Sequence, residues 1–233
     1  MRKFLAIFII IFSASCKQEW SYEGKAGAEH WGELDEKYKF CKVGYNQSPI
    51  DVKYEFKKDE DLSFFYSNSD VEKERNNYVM RVTFDDRTFM MRGKKKYFLR
   101  HLSFRHPSEH LVNGQARALE MHITHKSDDE QLLKLAIFIE VGEENPQFNA
   151  LIKFLNGKDA EGKIDLSKIV KTDDKTFFYD GSLTTPPCSE GVKWYVMKTP
   201  LKVSKEQMNQ IIKSAIFAKT NARPIQAFHP EKF

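Results

Sequence analysis

At 233 residues, with 41% hydrophobic side chains and nineteen Phe, the chain is long enough for one compact domain with a sizeable core. Its formal charge of +4 includes Arg2 and Lys3; without residues 1–15 there remain 35 basic against 33 acidic side chains, a net of +2. So small an excess argues against a dedicated nucleic-acid binder.

The chain opens with Arg2 and Lys3, the apolar run 4–12, and small residues Ser13, Ala14 and Ser15 ahead of Cys16. That is a secretory signal peptide in outline, and nine apolar residues are too few to span a bilayer core of about 30 Å, which takes roughly 20 in a helix. Small residues directly before a cysteine also resemble a bacterial lipoprotein signal, in which the cysteine becomes the acylated first residue. Ser13 departs from that pattern, where Leu is usual, and an ordinary leader cut near an incidental cysteine is the alternative. The expected division is signal peptide 1–15, anchor and short spacer 16–19, and folded domain 20–233. Three cysteines are an odd number for an exported chain. If Cys16 carries lipid, Cys41 and Cys188 remain to pair, unless either stays a buried thiol or bridges two molecules.

From Trp20 to Trp31 an aromatic and glycine-rich segment reads as ordered, irregular chain. Residues 79–84, 97–105, 118–125 and 132–141 are β-branched or aromatic runs, partly alternating, bounded by Gly, Asn and Asp, and read as strands. Two segments read as helices. Asn145 can cap the first, with Pro146 at its first position, an apolar stripe of Phe148, Leu151, Ile152 and Leu155, and a stop at Asn156-Gly157. Ser204 and Gln207 suit a capping box for the second, which buries Met208, Ile211, Ile212 and Ala215. No repeat, linker or low-complexity tract interrupts the chain. Many strands with few helices predict a mainly β (α+β) domain on a large antiparallel sheet.

Several blocks resemble the α-carbonic anhydrases, in that family's order: Trp20, Tyr22, Gly24 and Trp31; Cys41; Gln47-Ser48-Pro49-Ile50-Asp51; and Pro107-Ser108-Glu109-His110. Then follow Glu120-Met121-His122, the run from Gly181 through Ser182-Leu183-Thr184-Thr185-Pro186-Pro187 to Cys188, Val192, Trp194, and Arg223-Pro224-Ile225-Gln226. The resemblance covers roughly residues 20 to 228. It implies the α-carbonic anhydrase fold, with a twisted, mostly antiparallel sheet of about ten strands, short surface helices and a conical cleft. In bacterial members the cysteines matching Cys41 and Cys188 form a disulfide.

The family's chemistry uses a zinc held by three neutral imidazoles with a fourth position open to water. Two imidazoles come from a His-x-His pattern, because alternate strand residues share a face, and the third from the neighbouring strand. Counted back from Pro107-Ser108-Glu109-His110, the His-x-His positions carry Ser103 and Arg105, and the third ligand is His122. His101 shares strand parity with Ser103 and Arg105, where the family usually has Gln, so a rebuilt site would have His101 and His122 but no evident third ligand. His106, on the opposite parity, His110 and His125 read as structural histidines.

Other parts are mixed. Glu109 and Thr184 match the family's gate, in which the threonine hydroxyl donates to the carboxylate. Tyr78 stands at the proton-shuttle position, and a phenol with a pKa near 10 serves that role poorly at neutral pH. Val192, Trp194 and Thr185 match the substrate pocket, but Lys134 falls where its wall usually has Val, unless a bulge turns it outward.

The resulting expectation is an exported, lipid-anchored relative in the bacterial cell envelope, periplasmic or outer-membrane. It has no expected cofactor and serves as a binding or scaffold domain, as catalytically silent members of the family do. The alternative is an active zinc lyase interconverting carbon dioxide and bicarbonate. The bilayer, through acylated Cys16, is one expected partner, and a polyanion or a protein another; the basic cluster Arg92, Lys94, Lys95, Lys96 and Arg100 suits a polyanion if it is not simply a solvated hairpin turn. In the vacated metal site Arg105 is expected to pair with Glu120, with Glu109 as second candidate.

Overall fold

A computed structural model describes residues 19–59 and 61–229. The leader and Cys16 lie outside the described residues, so the expectations placed on them are carried forward untouched. Strands β1 (Asp51–Val52), β2 (Leu62–Phe65), β3 (Asn68–Arg75), β4 (Met80–Phe84), β5 (Phe89–Arg92) and β6 (Lys95–Arg105) come first. Next are β7 (Leu111–Val112), β8 (Leu119–Lys126), β9 (Leu132–Val141), β10 (Glu161–Asp165), β11 (Thr176–Ser182), β12 (Glu190–Met197) and β13 (Leu201–Val203). Eleven of them form one sheet, with the path β10-β3-β4-β6-β8-β9-β12-β11 and with β2, β5 and β13 attached at its sides. All its pairings are antiparallel except β12 and β13 against β9. The four strands read from sequence are β4, β6, β8 and β9, shifted by at most two residues at either end.

The helices are short: α1 (Trp31–Leu34), α2 (Phe40–Val43), α3 (Asn149–Asn156) and α4 (Lys205–Ala215). The first two have no counterpart in the sequence reading, because four-residue turns carry no periodic signal; α1 begins where the irregular segment Trp20 to Trp31 ends. A 3-10 turn at Pro146–Phe148, capped by Asn145, leads into α3, and α4 begins with the full capping box of Ser204 and Gln207. Together they lay Phe148, Leu151, Ile152, Leu155, Met208, Ile211 and Ala215 on one face of the sheet.

Both faces of the central strands are buried, and alternation sorts their side chains. On β9, Leu133, Leu135, Ile137 and Ile139 enter the helix-covered core, while Ala136 and Phe138 join a second cluster with Val192, Trp194, Val196 and Tyr179. On β6 the alternation breaks. The register against β8 shifts between Leu99 and His101, so Tyr97 and Leu99 share the helix-covered core with Leu102 and Phe104. That bulge at Arg100 aims His101, Ser103 and Arg105 together at the opposite face.

That face is closed at one end by residues far apart in sequence. Cys41 and Cys188 are disulfide-bonded with Cα atoms 5.0 Å apart, tying α2 to the segment that carries Thr184. Beneath the bridge the buried Arg223 guanidinium donates to Gln47 Oε1 at 2.9 Å, Ser48 O at 2.8 Å and Cys41 O at 3.1 Å. Gly181 packs so tightly that a Cβ there would meet Ser48 Oγ at 2.2 Å, which explains a glycine near the end of β11.

The basic cluster forms the β5–β6 hairpin, turning at Gly93 with φ +57°. Its cations are largely engaged: Arg92 donates to Tyr195 Oη, Lys95 pairs with Asp129, Arg100 with Asp86, and Lys96 lies 3.7 Å from the Phe89 ring centroid.

Candidate functional site

Cross-strand registry builds the site floor. Arg81 on β4, Ser103 on β6, His122 on β8, Ala136 on β9 and Val196 on β12 lie in one row across the sheet. Thr83, His101, Thr124, Lys134 and Trp194 form the neighbouring row, and Arg105 opposite Glu120 begins the next. Residues directly opposite in a sheet share its face, so these rows bring Ser103, Arg105, His122, Lys134 and Trp194 together.

Glu120 anchors the inner end. Its carboxylate accepts the backbone N–H groups of Glu109 and His110 at 2.7 and 2.9 Å, His110 Nδ1 at 2.6 Å and His122 Nε2 at 2.8 Å. Burial opposes its charge, but the two imidazoles and their hydrogen bonds hold it well below the usual carboxylate range. Burial keeps His122 neutral, its pKa pushed down to about 3. With the proton on Nε2 facing Glu120, His122 Nδ1 carries the lone pair and points toward Glu109 Oε2 at 3.7 Å, beyond hydrogen-bond distance.

Arg105 pairs with Glu109, not with Glu120. Its Nε lies 3.4 Å from Glu109 Oε2, and its Nη1 donates to Ser103 Oγ at 3.2 Å and to the Phe104 carbonyl at 3.0 Å. Although Arg105 and Glu120 are opposite one another in the ladder, four donors already fill the Glu120 carboxylate, and the guanidinium turns to the acid with a free oxygen. Burial raises the Glu109 carboxyl above its ordinary value, against the pull of Arg105, the Arg223 N–H and Thr184. Thr184 stands beside the same carboxyl and pulls it down as a side-chain partner, so the gate pair is together, while Glu109 Oε2 lies 3.4 Å from Arg105 Nε and 3.7 Å from His122 Nδ1.

Lys134 points inward, 5% exposed, with its ammonium 4.6 Å from the Trp194 ring centroid and no carboxylate partner among the described residues. Burial, then Arg105, push its pKa down to about 7. His101 faces the same cleft; burial, then Arg81 and Lys134, push it down to about 2. Val192 is buried behind Trp194, and Thr185 is half-buried with its carbonyl accepting the Cys188 N–H. Tyr78 donates to the Trp20 carbonyl and packs against Trp20 and Tyr22, and burial raises its phenol. A hydroxyl so engaged and so weakly acidic does not relay protons near neutrality.

The other histidines are structural, as read. His106 Nδ1 is 2.8 Å from the Ala118 carbonyl, His125 bonds Tyr66 in the helix-covered core, and His110 bridges Glu120 and Tyr179. Sequence reasoning missed Arg81, Tyr22 and Thr124. Arg81 and Thr83 alternate with the core residues Val82 and Phe84, which by pattern alone means a solvent-facing edge; only the neighbouring cleft distinguishes the two. Tyr22 is raised by burial and lies within electrostatic reach of Arg105, Glu109, Tyr78 and Arg81.

A family model described as eukaryotic-type carbonic anhydrase matches residues 26–231. The chain belongs to the α-carbonic anhydrase family. A carbonic anhydrase of a Nostoc species is 34% identical over 219 residues, covering 89% of this chain and 82% of that one. One from Klebsiella pneumoniae is 34% identical over 216 residues, 89% and 87% of the two chains. The α-carbonic anhydrase of Thermovibrio ammonificans, in complex with the inhibitor sulfanilamide, superposes with a TM-score of 0.80 at 33% identity over 91% of this chain and 96% of that one. Dioscorin complexed with ascorbate gives a TM-score of 0.81 at 28% identity, over 90% and 94%.

Zinc is the metal that the carbonic anhydrase family implies, and the donors present do not fit it. Of Ser103, Arg105 and His122, only His122 offers an imidazole lone pair, and a guanidinium with pKa above about 12 cannot ligate a metal. Among the described residues one group of acids and histidines converges, His110, Glu120 and His122. Its ring nitrogens lie 2.6 and 2.8 Å from one carboxylate oxygen, hydrogen-bond distances shorter than the ~3.3 Å between ligands at tetrahedral zinc. It is a hydrogen-bond network that orients His122, and His101 is not part of it.

Proposed function

We propose that this carbonic anhydrase relative has given up zinc-dependent hydration of carbon dioxide and works as an exported, lipid-anchored domain that binds a small anion. The observation that carries the reading is the buried Arg105 guanidinium, paired with Glu109, at a position where the family's chemistry needs a neutral imidazole. A fixed cation there repels a dication and attracts an anion. That dioscorin is named as complexed with ascorbate supports a fold of this kind holding a small organic anion. The proposed partners are a bilayer, through acylated Cys16, and an anion in the cleft rather than at the β5–β6 hairpin. The intact mass of the mature protein checks the first: a fatty-acyl adduct on Cys16 is expected, and its absence rejects the anchor.

The test of function is metal content together with a carbon dioxide hydration assay. Purified protein is expected to hold well below one zinc per chain and to hydrate carbon dioxide no faster than buffer. Stoichiometric zinc with sulfonamide-sensitive turnover would instead establish the competing reading, an active enzyme with a remodelled metal site, which its relatives' names favour. Ser103→His with Arg105→His is expected to restore zinc binding, because Glu120 still fixes the His122 tautomer. Turnover needs Lys134→Val as well, to return the pocket wall to an apolar surface.

A further inference from the structure

Exposed apolar side chains gather at one place on the molecule. Of the seven large ones among the described residues, Phe40, Val43, Tyr45 and Ile225, at 43, 68, 42 and 46% exposure, belong to α2, its exit and the C-terminal segment that braces it. Phe40 and Val43 are one helical turn apart and share a face. Tyr45 stacks on His229 with ring centroids 4.1 Å apart. Ile225 lies between two tethers to the same region, Arg223 Nη2 on the Cys41 carbonyl at 3.1 Å and the Gln226 N–H on the Pro49 carbonyl at 2.7 Å. The Cys41–Cys188 bridge fixes α2 from beneath. Four such side chains held in one arrangement mark an interaction surface rather than scattered exposure.

Charge does not select what covers it. Lys37 lies 3.7 Å from Asp35, Lys39 3.5 Å from Glu36 and Lys42 2.7 Å from Glu33, so each lysine beside α2 already has an acid. These pairs leave little net field for a polyanion or an acidic peptide to follow. Area argues against a second copy: with full side chains of about 200 Å², the four expose on the order of 400 Å², half of the ~800 Å² that each partner of a stable dimer buries. What is left to cover is apolar surface of modest size, which suits a lipid phase.

The start of the folded domain says where that phase lies. Trp20 packs against Trp31 with ring centroids 5.3 Å apart, and the Arg223 guanidinium that holds the Cys41 carbonyl lies 5.9 Å from the Trp31 ring. Lys42 on α2 likewise reaches Glu33 on α1, whose first residue is Trp31. Trp20 and α2 thus belong to one end of the molecule. Cys16 is four residues before Trp20, and four residues of extended chain span at most about 14 Å. An acyl chain on Cys16 therefore holds this end of the domain against the bilayer.

Resting on the lipid-anchor reading above, we propose that α2 and the segment at Ile225 form a membrane-docking face. Phe40, Val43 and Ile225 enter the boundary between headgroups and acyl chains of the bilayer that holds Cys16, and Tyr45 lies at headgroup level, where a ring with a polar tip is favoured. The docking fixes the orientation of the domain as the anchor fixes its location, and the paired lysines make it indifferent to lipid charge.

Spin labels on the mature, acylated protein test it, in vesicles of phosphatidylethanolamine with phosphatidylglycerol and in vesicles of phosphatidylcholine alone. A label at Ile225→Cys is expected to sit about 5–10 Å below the lipid phosphates in both, as read from its relative accessibility to oxygen and to a water-soluble nickel complex. A label at Val141→Cys, exposed at the end of β9, is expected to stay in water. Phe40→Ser with Val43→Ser should return the Ile225 label to water; both side chains are exposed, and thermal melts confirm that the double variant folds. An Ile225 label as open to the nickel complex as the Val141 label, on protein whose mass shows the acyl adduct, overturns the docking face and leaves the anchor standing. So does shielding confined to the anionic vesicles, shielding that persists in the double variant, or spin–spin broadening that assigns the face to a second copy. Absence of the adduct overturns the anchor and the inference with it.

Discussion

Lys134→Met is expected to stabilise the protein by about 3–5 kcal/mol at pH 6 and by less than about 1 kcal/mol above pH 10. In the fold Lys134 titrates near 7, against 10.5 when exposed, because burial, then Arg105, penalise its charge. Below pH 7 both folded and unfolded chains hold the proton, and the whole penalty is present. Between 7 and 10.5 the folded state gives the proton up while the unfolded state keeps it, so stability rises with pH; above 10.5 neither is charged. The full interval corresponds to on the order of 4–5 kcal/mol, and the contact with Trp194 returns about 1 kcal/mol of it, which sets the lower bound. Other ionisable groups face the same space: Arg81 from β4, His101 and Arg105 from β6, Glu120 and His122 from β8, and Glu109 from the segment after β6. All of them remain in the variant, so the difference between the two proteins isolates Lys134. Urea midpoints at pH 6, 8 and 10 provide the check, and a difference that does not change with pH would refute a buried, depressed lysine.

Lys134 also shows how far the sequence could be read. Its place on β9 was legible because Leu132 to Val141 is long and apolar apart from Lys134 and Glu140, but its turn into the pocket wall rested on the family resemblance, with an outward-turning bulge left open. The fold was legible for a similar reason: turn residues and motif blocks that lock distant segments together, such as Arg223 under the Cys41–Cys188 bridge, are fixed by contacts that tolerate few substitutes. What alternation could not supply was orientation at irregular points. Tyr97 and Leu99 have the parity of His101 and Ser103, yet the Arg100 bulge sends the two pairs to opposite faces. Nor could it divide donors between acids. Arg105 and Glu120 are opposite one another in the ladder, but backbone N–H groups from the segment after β6 and a histidine at its end reach Glu120 first, and no strand pattern encodes that competition.

Mutational coupling separates the two pairings. Glu109→Gln keeps an acceptor for the Arg223 N–H but leaves the Arg105 guanidinium, 6% exposed, facing Arg81 and Lys134 with no counter-charge. A loss of about 3–5 kcal/mol is expected, because a guanidinium cannot shed its proton to escape. Arg105→Met should cost less, about 1–2 kcal/mol: burial already raises the Glu109 carboxyl, and without its cation the acid takes up a proton and becomes neutral. Arg105→Met with Glu109→Gln removes both charges and should recover most of the larger loss, a coupling of about 2–3 kcal/mol in a double-mutant cycle. Glu120→Gln is destabilising by another route, since an amide cannot accept from two imidazoles and two backbone N–H groups on the terms of a carboxylate. Arg105→Met should therefore not rescue it. Denaturant unfolding of these five variants beside the parent decides the matter: rescue of Glu120→Gln by Arg105→Met, with none for Glu109→Gln, would return Arg105 to the partner that strand registry alone assigns it.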